Sequence, residues 1–247
     1  WHDRENWGVV EDDTVYALMG DLYGDFERGE QLCALADVKL LPPAHPTTMI
    51  ACGRNYLGSV QDLQVEIPEE PALFFKPVSA LIGPEEDIVR PAISQDLRYE
   101  GELCCIIKRE AKRVAQERAL DYVLGYTCGN DCTMYDIFKR DVHITRAKGF
   151  DRSGPLGPFL VTGLDPHDVA IRSRVNGETR QDGRTSLMMH SVEKLISHIT
   201  AFVTLLPGDV VWTGTPGGGH SPVKPGDVTE VEIEGIGVLR NRVAAEQ

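Results

Sequence analysis

The sequence has no apolar run approaching the ~18–20 residues of a membrane span, because a charge or a proline interrupts every candidate. Positive charge is also scarce: 25 Lys and Arg stand against 38 Asp and Glu, a net charge of −13 that disfavours nucleic acid and anionic membranes as partners. The six cysteines contain no C-x-x-C pair, and Cys128 and Cys132 lack a second Cys or His pair at zinc-site spacing. Six reduced, mostly buried thiols in a cytoplasmic protein are therefore expected. His143, His190 and His198 fall in no H-E-x-x-H or H-x-x-x-H arrangement. Gly217-Gly218-Gly219 is not followed by the Lys-Ser/Thr of a nucleotide phosphate loop. No signal peptide is legible, although a chain beginning at Trp1 is expected to lack its first residues.

What is present is 247 residues with 42% hydrophobic content, enough to bury a core without disulfide or metal staples. Two β-rich runs flank Asp12-Asp13 and predict a hairpin, with an acidic stretch from Gly20 to Glu30 behind it. Pro42, Pro43 and Pro46 fit neither a helix interior nor a central strand, so a boundary is placed at 46. Residues 1–46 then form a small N-terminal domain and 47–247 a larger one. In the larger part Val192, Leu195, Ile196, Ile199, Phe202, Val203 and Leu206 recur at spacings of three and four, a helical stripe capped by Ser191 and stopped by Pro207-Gly208. A middle helix is predicted over Gln116–Val123, and strands follow both helices at Gly125–Cys128 and Val210–Thr213. Parallel βαβ repetition is absent, so the fold class is α+β and β-rich.

Tyr99-Glu100-Gly101-Glu102-Leu103 carries the most chemical information. In a strand, Glu100 and Glu102 share a face about 7 Å apart, while Gly101 suits close packing on the other. Two parallel carboxylates repel unless something positive lies between them. Asp131 follows a second strand one short crossover later, within plausible reach of the pair. Three carboxylates form a hard-oxygen set suited to Mg²⁺ or Mn²⁺, with Ca²⁺ as a substitute. A solvated strand face with a turn aspartate fits the same spacing.

The ordered set of motifs resembles the fumarylacetoacetate hydrolase (FAH) superfamily. It comprises Glu100-Gly101-Glu102-Leu103, Gly125–Asp131, Lys148-Gly149-Phe150-Asp151, Gly154–Pro158, Val175–Glu178, Leu206–Asp209, Thr213–Pro216 and Val231–Gly237. Upstream, Gly53-Arg54-Asn55-Tyr56 and Phe75-Lys76-Pro77 also fit, so the resemblance runs from about residue 40 to 243. It implies an FAH-type mixed β-sandwich roll with a small N-terminal domain, usually a homodimer. It also implies metal ligation by Glu100, Glu102 and Asp131, with a small-molecule 2-oxo acid as substrate. Lys148 is expected to stabilise an enolate or carboxylate oxygen, with Gly214, Thr215, Lys76 and Arg54 as candidate substrate contacts.

Three departures bear on the reaction. In the family's N-Y-x-x-H-x-x-E lid, Ser59 replaces the histidine and Asp62 the glutamate; Asp62 is then the candidate base and Ser59 positions a water. In the A-R-D-x-x-Q run, Tyr135 replaces the arginine, favouring a substrate with less distal charge or an apolar part. Arg146 and Arg152 flank Lys148 and are candidates for supplying the lost charge, and His220 closes the glycine-rich loop near Thr215. The resemblance implies a metal-dependent C–C hydrolase of a 2,4-dioxo acid of the acylpyruvate type, acting through an enolate. The alternatives are a decarboxylase or keto–enol isomerase of a 2-oxo-enoic dicarboxylic acid in aromatic catabolism, or a metal-binding paralogue with little catalysis.

Overall fold

Leu103-Cys104-Cys105-Ile106-Ile107 has no charge and no alternation, the pattern of a strand covered on both faces. The computed structural model, which describes residues 5–64 and 66–246, makes it a central strand with every residue buried. The chain forms two compact units, Trp1–Leu40 and Leu41–Gln247.

In the first unit β1 (Gly8–Glu11) and β2 (Thr14–Gly20) form the expected hairpin, with Asp12 in the left-handed turn conformation that aspartate tolerates. The end of the acidic stretch, from Phe26, enters β3 (Phe26–Ala34), which pairs antiparallel with β2 through register shifts.

The second unit is built on a seven-stranded mixed sheet. Its order is β5 (Ala72–Lys76), β4 (Met49–Gly53), β15 (Val210–Trp212), β9 (Gly101–Ile107), β10 (Val123–Asn130), β12 (Gly154–Val161) and β6 (Leu81–Ile82). A five-stranded sheet has the order β14 (Glu178–Arg184), β13 (Ala170–Val175), β17 (Val228–Ile233), β18 (Gly237–Ala245) and β7 (Ile88–Arg90). Cys105, Ile107, Ile171, Val231 and Ile233 join one core cluster, so the two sheets pack face to face. A small sheet of β11 (Thr133–Met134), β8 (Leu97–Arg98) and β16 (Pro222–Val223) lies along the chain on both sides of the acidic residues. Gly101 needs to lack a side chain: a Cβ there would meet Gln181 Oε1 at 2.8 Å. Among the described residues, four short α-helices complete the unit: α1 (Leu57–Leu63), α2 (Tyr135–Phe138), α3 (Thr145–Lys148) and α4 (Val192–Thr200). Among the described residues no helix is long and apolar enough to cross a membrane.

Two expectations need correction. The middle helix is a 3₁₀ segment over Gln116–Tyr122; only Ala119 of it is buried, and Tyr122 O is taken by Lys108 N at 2.7 Å. A segment with so little apolar burial and a carbonyl held from outside gains little from α geometry. Helix α4 buries Val192, Leu195, Ile196 and Ile199 as its stripe requires, and Ser191 Oγ caps it by accepting from Lys194 N. It stops at Thr200, before Phe202, which is 62% exposed. Thr200 O and Oγ1 accept from Arg113 N and Val114 N, and Leu205 then bridges to Ala111. Tertiary hydrogen bonds thus end the helix before its apolar pattern does.

Cys52, Cys104, Cys105, Cys128 and Cys132 are buried, and no cysteine is in a disulfide. Burial, reinforced by the Glu102 charge, pushes the Cys52 thiol up to about 12. Burial also pushes Cys132 up to about 12. Titration with Ellman's reagent is expected to modify Cys33 promptly and leave these five until the protein is denatured. Rapid reaction of several thiols in native protein would contradict this burial.

Candidate active site

The antiparallel register of β9 and β10 pairs Glu102 with Gly129 and Gly101 with Asn130. Continued by one residue it brings Asp131 opposite Glu100, and Asp131 N donates to Glu100 O at 2.9 Å. On the other side, β15 pairs Trp212 with Cys104, which brings Gly214 alongside Glu102. Gly214 N donates to Glu102 Oε2 at 2.9 Å from a φ of 92°, a conformation in which a Cβ would meet Asn55 Cβ at 2.8 Å. Ligand atoms of Glu100, Glu102 and Asp131 consequently lie within 4.8 Å of one another. Their residues are 5%, 2% and 0% exposed, so the solvated-face alternative does not hold.

Two buried lysines face these carboxylates. Lys148, at the end of α3, donates to Glu100 Oε1 and Asp131 Oδ2, both at 2.7 Å. Lys76, at the end of β5, donates to Asp131 Oδ1 at 2.7 Å and to Lys148 O at 2.6 Å. Burial alone would lower the Lys148 pKa, but the Asp131 and Glu100 charges override it and hold the ammonium above the ordinary lysine range. Burial likewise disfavours the Glu100 carboxylate, yet Lys148 and His220 outweigh it and hold the group well below the usual range. Glu102 is pushed well above that range by burial and then by the Asp131 and Glu100 charges.

These residues fit a divalent cation. Thr133, Lys148 and His220 all converge on Glu100 Oε1, while Glu100 Oε2 takes no hydrogen bond among the described residues. Glu102 Oε1 takes none either, its carboxylate receiving only Gly214 N. Two donor-free carboxylate oxygens on largely buried residues, beside a third carboxylate, are what an accessible hard-oxygen cation site requires. The residues that would hold the ion are Glu100, Glu102 and Asp131.

A cavity of about 250 Å³ opens over Glu100 and Lys148. Its other polar lining is Thr133, Thr215, Ser59, His220, Arg54 and Tyr135, and its apolar lining includes Leu63, Leu73, Phe74, Phe138 and Ile144. The Tyr135 ring is covered by the Arg98 guanidinium at 3.6 Å and the Lys139 ammonium at 4.4 Å. Arg98 is itself paired to Asp96 at 2.9 Å. Lys76, Asp62 and Gly214 are not among the described residues lining the cavity. Lys76 sits behind Asp131 and over Trp212, and Asp62 Oδ2 accepts from Gly218 N at 2.8 Å. Thr215 Oγ1 donates to Gly101 O at 2.9 Å and accepts from Gln181 Nε2 at 2.7 Å. Arg146 pairs with Asp141 and Arg152 with Asp87 O, so neither supplies charge to the lining. A wider groove of about 670 Å³ lies on the five-stranded sheet, but its Arg172 and Arg184 are already paired to Asp182 and Asp168.

Sequence reasoning left one arrangement unassigned. His220 meets Glu100 Oε1 through Nδ1 at 3.1 Å and Ser59 Oγ through Nε2 at 3.0 Å, joining the glycine loop to α1. The residue types were visible; the contact across 161 positions was not.

The family model described as "Fumarylacetoacetate (FAA) hydrolase C-terminal" matches residues 48–244, and "Rv2993c-like, N-terminal" matches residues 2–43. The chain is 41% identical to a 5-carboxymethyl-2-hydroxymuconate delta-isomerase from Mycobacterium smegmatis, with a TM-score of 0.90 over 97% of this chain and 94% of that one. It is 37% identical to the mitochondrial oxaloacetate tautomerase fahd2 of Xenopus laevis, covering 88% of this chain and 72% of the relative. A fumarylpyruvate hydrolase from Pseudomonas aeruginosa, solved with Mn²⁺ and pyruvate, is 30% identical with a TM-score of 0.77 over 82% of this chain and 91% of that one. These matches extend through both sheets and the buried carboxylates, and the chain belongs to the fumarylacetoacetate hydrolase family of enzymes.

Proposed function

We propose that the chain interconverts the keto and enol forms of a 2-oxo acid with the help of Mg²⁺ or Mn²⁺. The observation that carries this reading over hydrolysis is the engagement of Asp62. Its Oδ2 is held by Gly218 N, and the one carboxylate among the described cavity-lining residues is Glu100, a proposed metal ligand. Among the described lining residues there is thus no carboxylate to spare as a base, whereas charge-stabilising groups are present. When bound, the cation supplies Lewis acidity that draws charge from the 2-oxo group and acidifies the neighbouring C–H. The Lys148 ammonium, held cationic by its two carboxylates, stabilises the negative charge that develops on oxygen. Leu63, Phe74, Phe138 and Ile144 keep bulk water from the distal end and favour an uncharged or apolar substituent there.

A second reading, hydrolysis of an acylpyruvate-type 2,4-dioxo acid, draws on Ser59 and His220, whose polar atoms border the same cavity and form a seat for water. An NMR time course in D₂O with oxaloacetate and acetylpyruvate, run with Mg²⁺ and again with EDTA, separates the two. The proposal expects Mg²⁺-dependent enol–keto interconversion and deuterium incorporation without cleavage. Mg²⁺-dependent acetate and pyruvate from acetylpyruvate would replace it with hydrolysis, and pyruvate from oxaloacetate with decarboxylation.

A further inference from the structure

Strand β14 is exposed along its length except at Gln181 and Gly183. A buried amide on such a strand is costly unless its polar atoms are used, and those of Gln181 are. Its Nε2 donates to Thr215 Oγ1 at 2.7 Å and to Pro216 O at 2.8 Å, and its Oε1 accepts from Ser173 Oγ at 3.0 Å. Carbonyl oxygens only accept, which fixes each direction. Pro216 O sets the amide, and Gly101 O, 2.9 Å from Thr215 Oγ1, takes the single hydroxyl proton of the threonine. None of these groups ionises near neutral pH. Cβ atoms at Gly219 and Gly183 would meet Thr215 Oγ1 at 2.8 Å and Pro216 Cβ at 2.6 Å, so loop and strand both make room for this contact.

The Thr215 hydroxyl therefore has no proton left for a ligand. The residue still offers its backbone N–H: Thr215 lines the cavity, is 4% exposed, and its N has no acceptor among the described residues. A buried amide donor in a cavity wall is a seat for an anionic oxygen. We infer that the Thr215 N–H, not the hydroxyl, donates to the carboxylate of the bound ligand, and that Gln181 is the positioning residue that holds it there, an assignment that rests on the 2-oxo-acid reading of the site. Gln181 grips both residues of the Thr215–Pro216 turn, and the preceding Gly214 N is already committed to Glu102 Oε2. The turn thus keeps one free N–H beside the metal ligands.

The first test needs no turnover. In ¹⁵N-threonine-labelled protein loaded with Mg²⁺, the Thr215 amide, assigned by its loss in Thr215→Ser, is expected to move downfield when oxalate is added. An unmoved amide, or wild-type protein that binds no oxalate, overturns the inference. The second test measures oxalate affinity, Mn²⁺ affinity, Tm and oxaloacetate kinetics in Gln181→Met, Gln181→Glu and Thr215→Ser. Misplacing a hydrogen bond to a charged group is expected to weaken oxalate binding and raise the oxaloacetate KM on the order of 10–100-fold in both Gln181 variants. Their kcat and Mn²⁺ affinity are expected to stay within about threefold of the wild type. Thr215→Ser, which keeps the hydroxyl, is expected to bind oxalate as the wild type does. Wild-type oxalate affinity in Gln181→Met, or a loss that only follows Mn²⁺ affinity or Tm, contradicts the positioning role. Wild-type protein inactive on oxaloacetate would remove the functional reading, while oxalate binding would still decide the parts of Thr215 and Gln181.

Discussion

Glu102→Gln is expected to cut metal-dependent turnover by about 10²-fold or more, since changing even the outer partners of a metal ligand costs 10–100-fold. The same substitution leaves the metal-free protein no less stable. Glu102 is buried, takes one hydrogen bond and faces two like charges, which together raise its pKa well above the carboxylate range. An acid whose folded pKa is raised makes the native state retain a proton that the unfolded chain has already released. Stability therefore falls as pH rises from the unfolded value, about 4.5, towards the raised folded value. The glutamine is neutral at every pH, keeps an oxygen for Gly214 N and removes that loss. Thermal melts of both proteins in EDTA between pH 5 and 8 are expected to show the variant equal or higher, with the gap widening as pH rises. Adding Mn²⁺ is expected to raise the melting temperature of the wild type and leave the variant unchanged. A variant with full activity in metal-stripped buffer would sink the metal-site assignment.

Lys76→Met is expected to produce the largest stability loss, about 3–5 kcal/mol, as when one partner of a buried ion pair is removed. The Lys76 side chain is 0% exposed, and its ammonium holds Asp131 Oδ1, Lys148 O and Ser153 Oγ together. Methionine replaces the stem but leaves the carboxylate without one counter-charge and removes the ammonium's hydrogen bonds to Asp131, Lys148 O and Ser153. For a domain of this size the loss corresponds to a drop in Tm of about 10 °C. Lys112→Met, on an exposed lysine, serves as the control and is expected to leave Tm within about 1 °C. A Lys76→Met protein that melts with the wild type would show that Asp131 does not depend on this cation for its place.

What the sequence made legible was local or repeated along the chain. The uncharged run from Leu103 to Ile107 marks the covered central strand, and spacings of three and four mark the buried face of α4. The pair Glu100 and Glu102, with Asp131 at the next strand end, marks the acidic cluster. Each of these follows from residue period or from the antiparallel register, in which Glu100 must stand opposite Asp131. What stayed hidden depended on distant backbone. The end of α4 is set by Arg113 and Val114, and the place of Lys76 by a carboxylate 55 residues away. Asp62 Oδ2 accepts from Gly218 N, a contact between α1 and the glycine loop across 156 positions that no spacing rule supplied. His220 followed a turn whose course no spacing rule supplies, and its partner Ser59 stood out only as a departure from the resemblance. Tyr135 lies in the cavity lining, yet the Arg98 that stacks on it belongs to β8 and no motif pointed to it.

The most direct test of the metal-centred account is anomalous diffraction from a crystal grown with Mn²⁺ and oxalate, collected on the low-energy side of the iron edge. The account predicts one strong manganese peak per chain bounded by Glu100, Glu102 and Asp131, with oxalate between it and the cavity. Manganese bound only at surface carboxylates, with the three buried groups holding no peak, would contradict it.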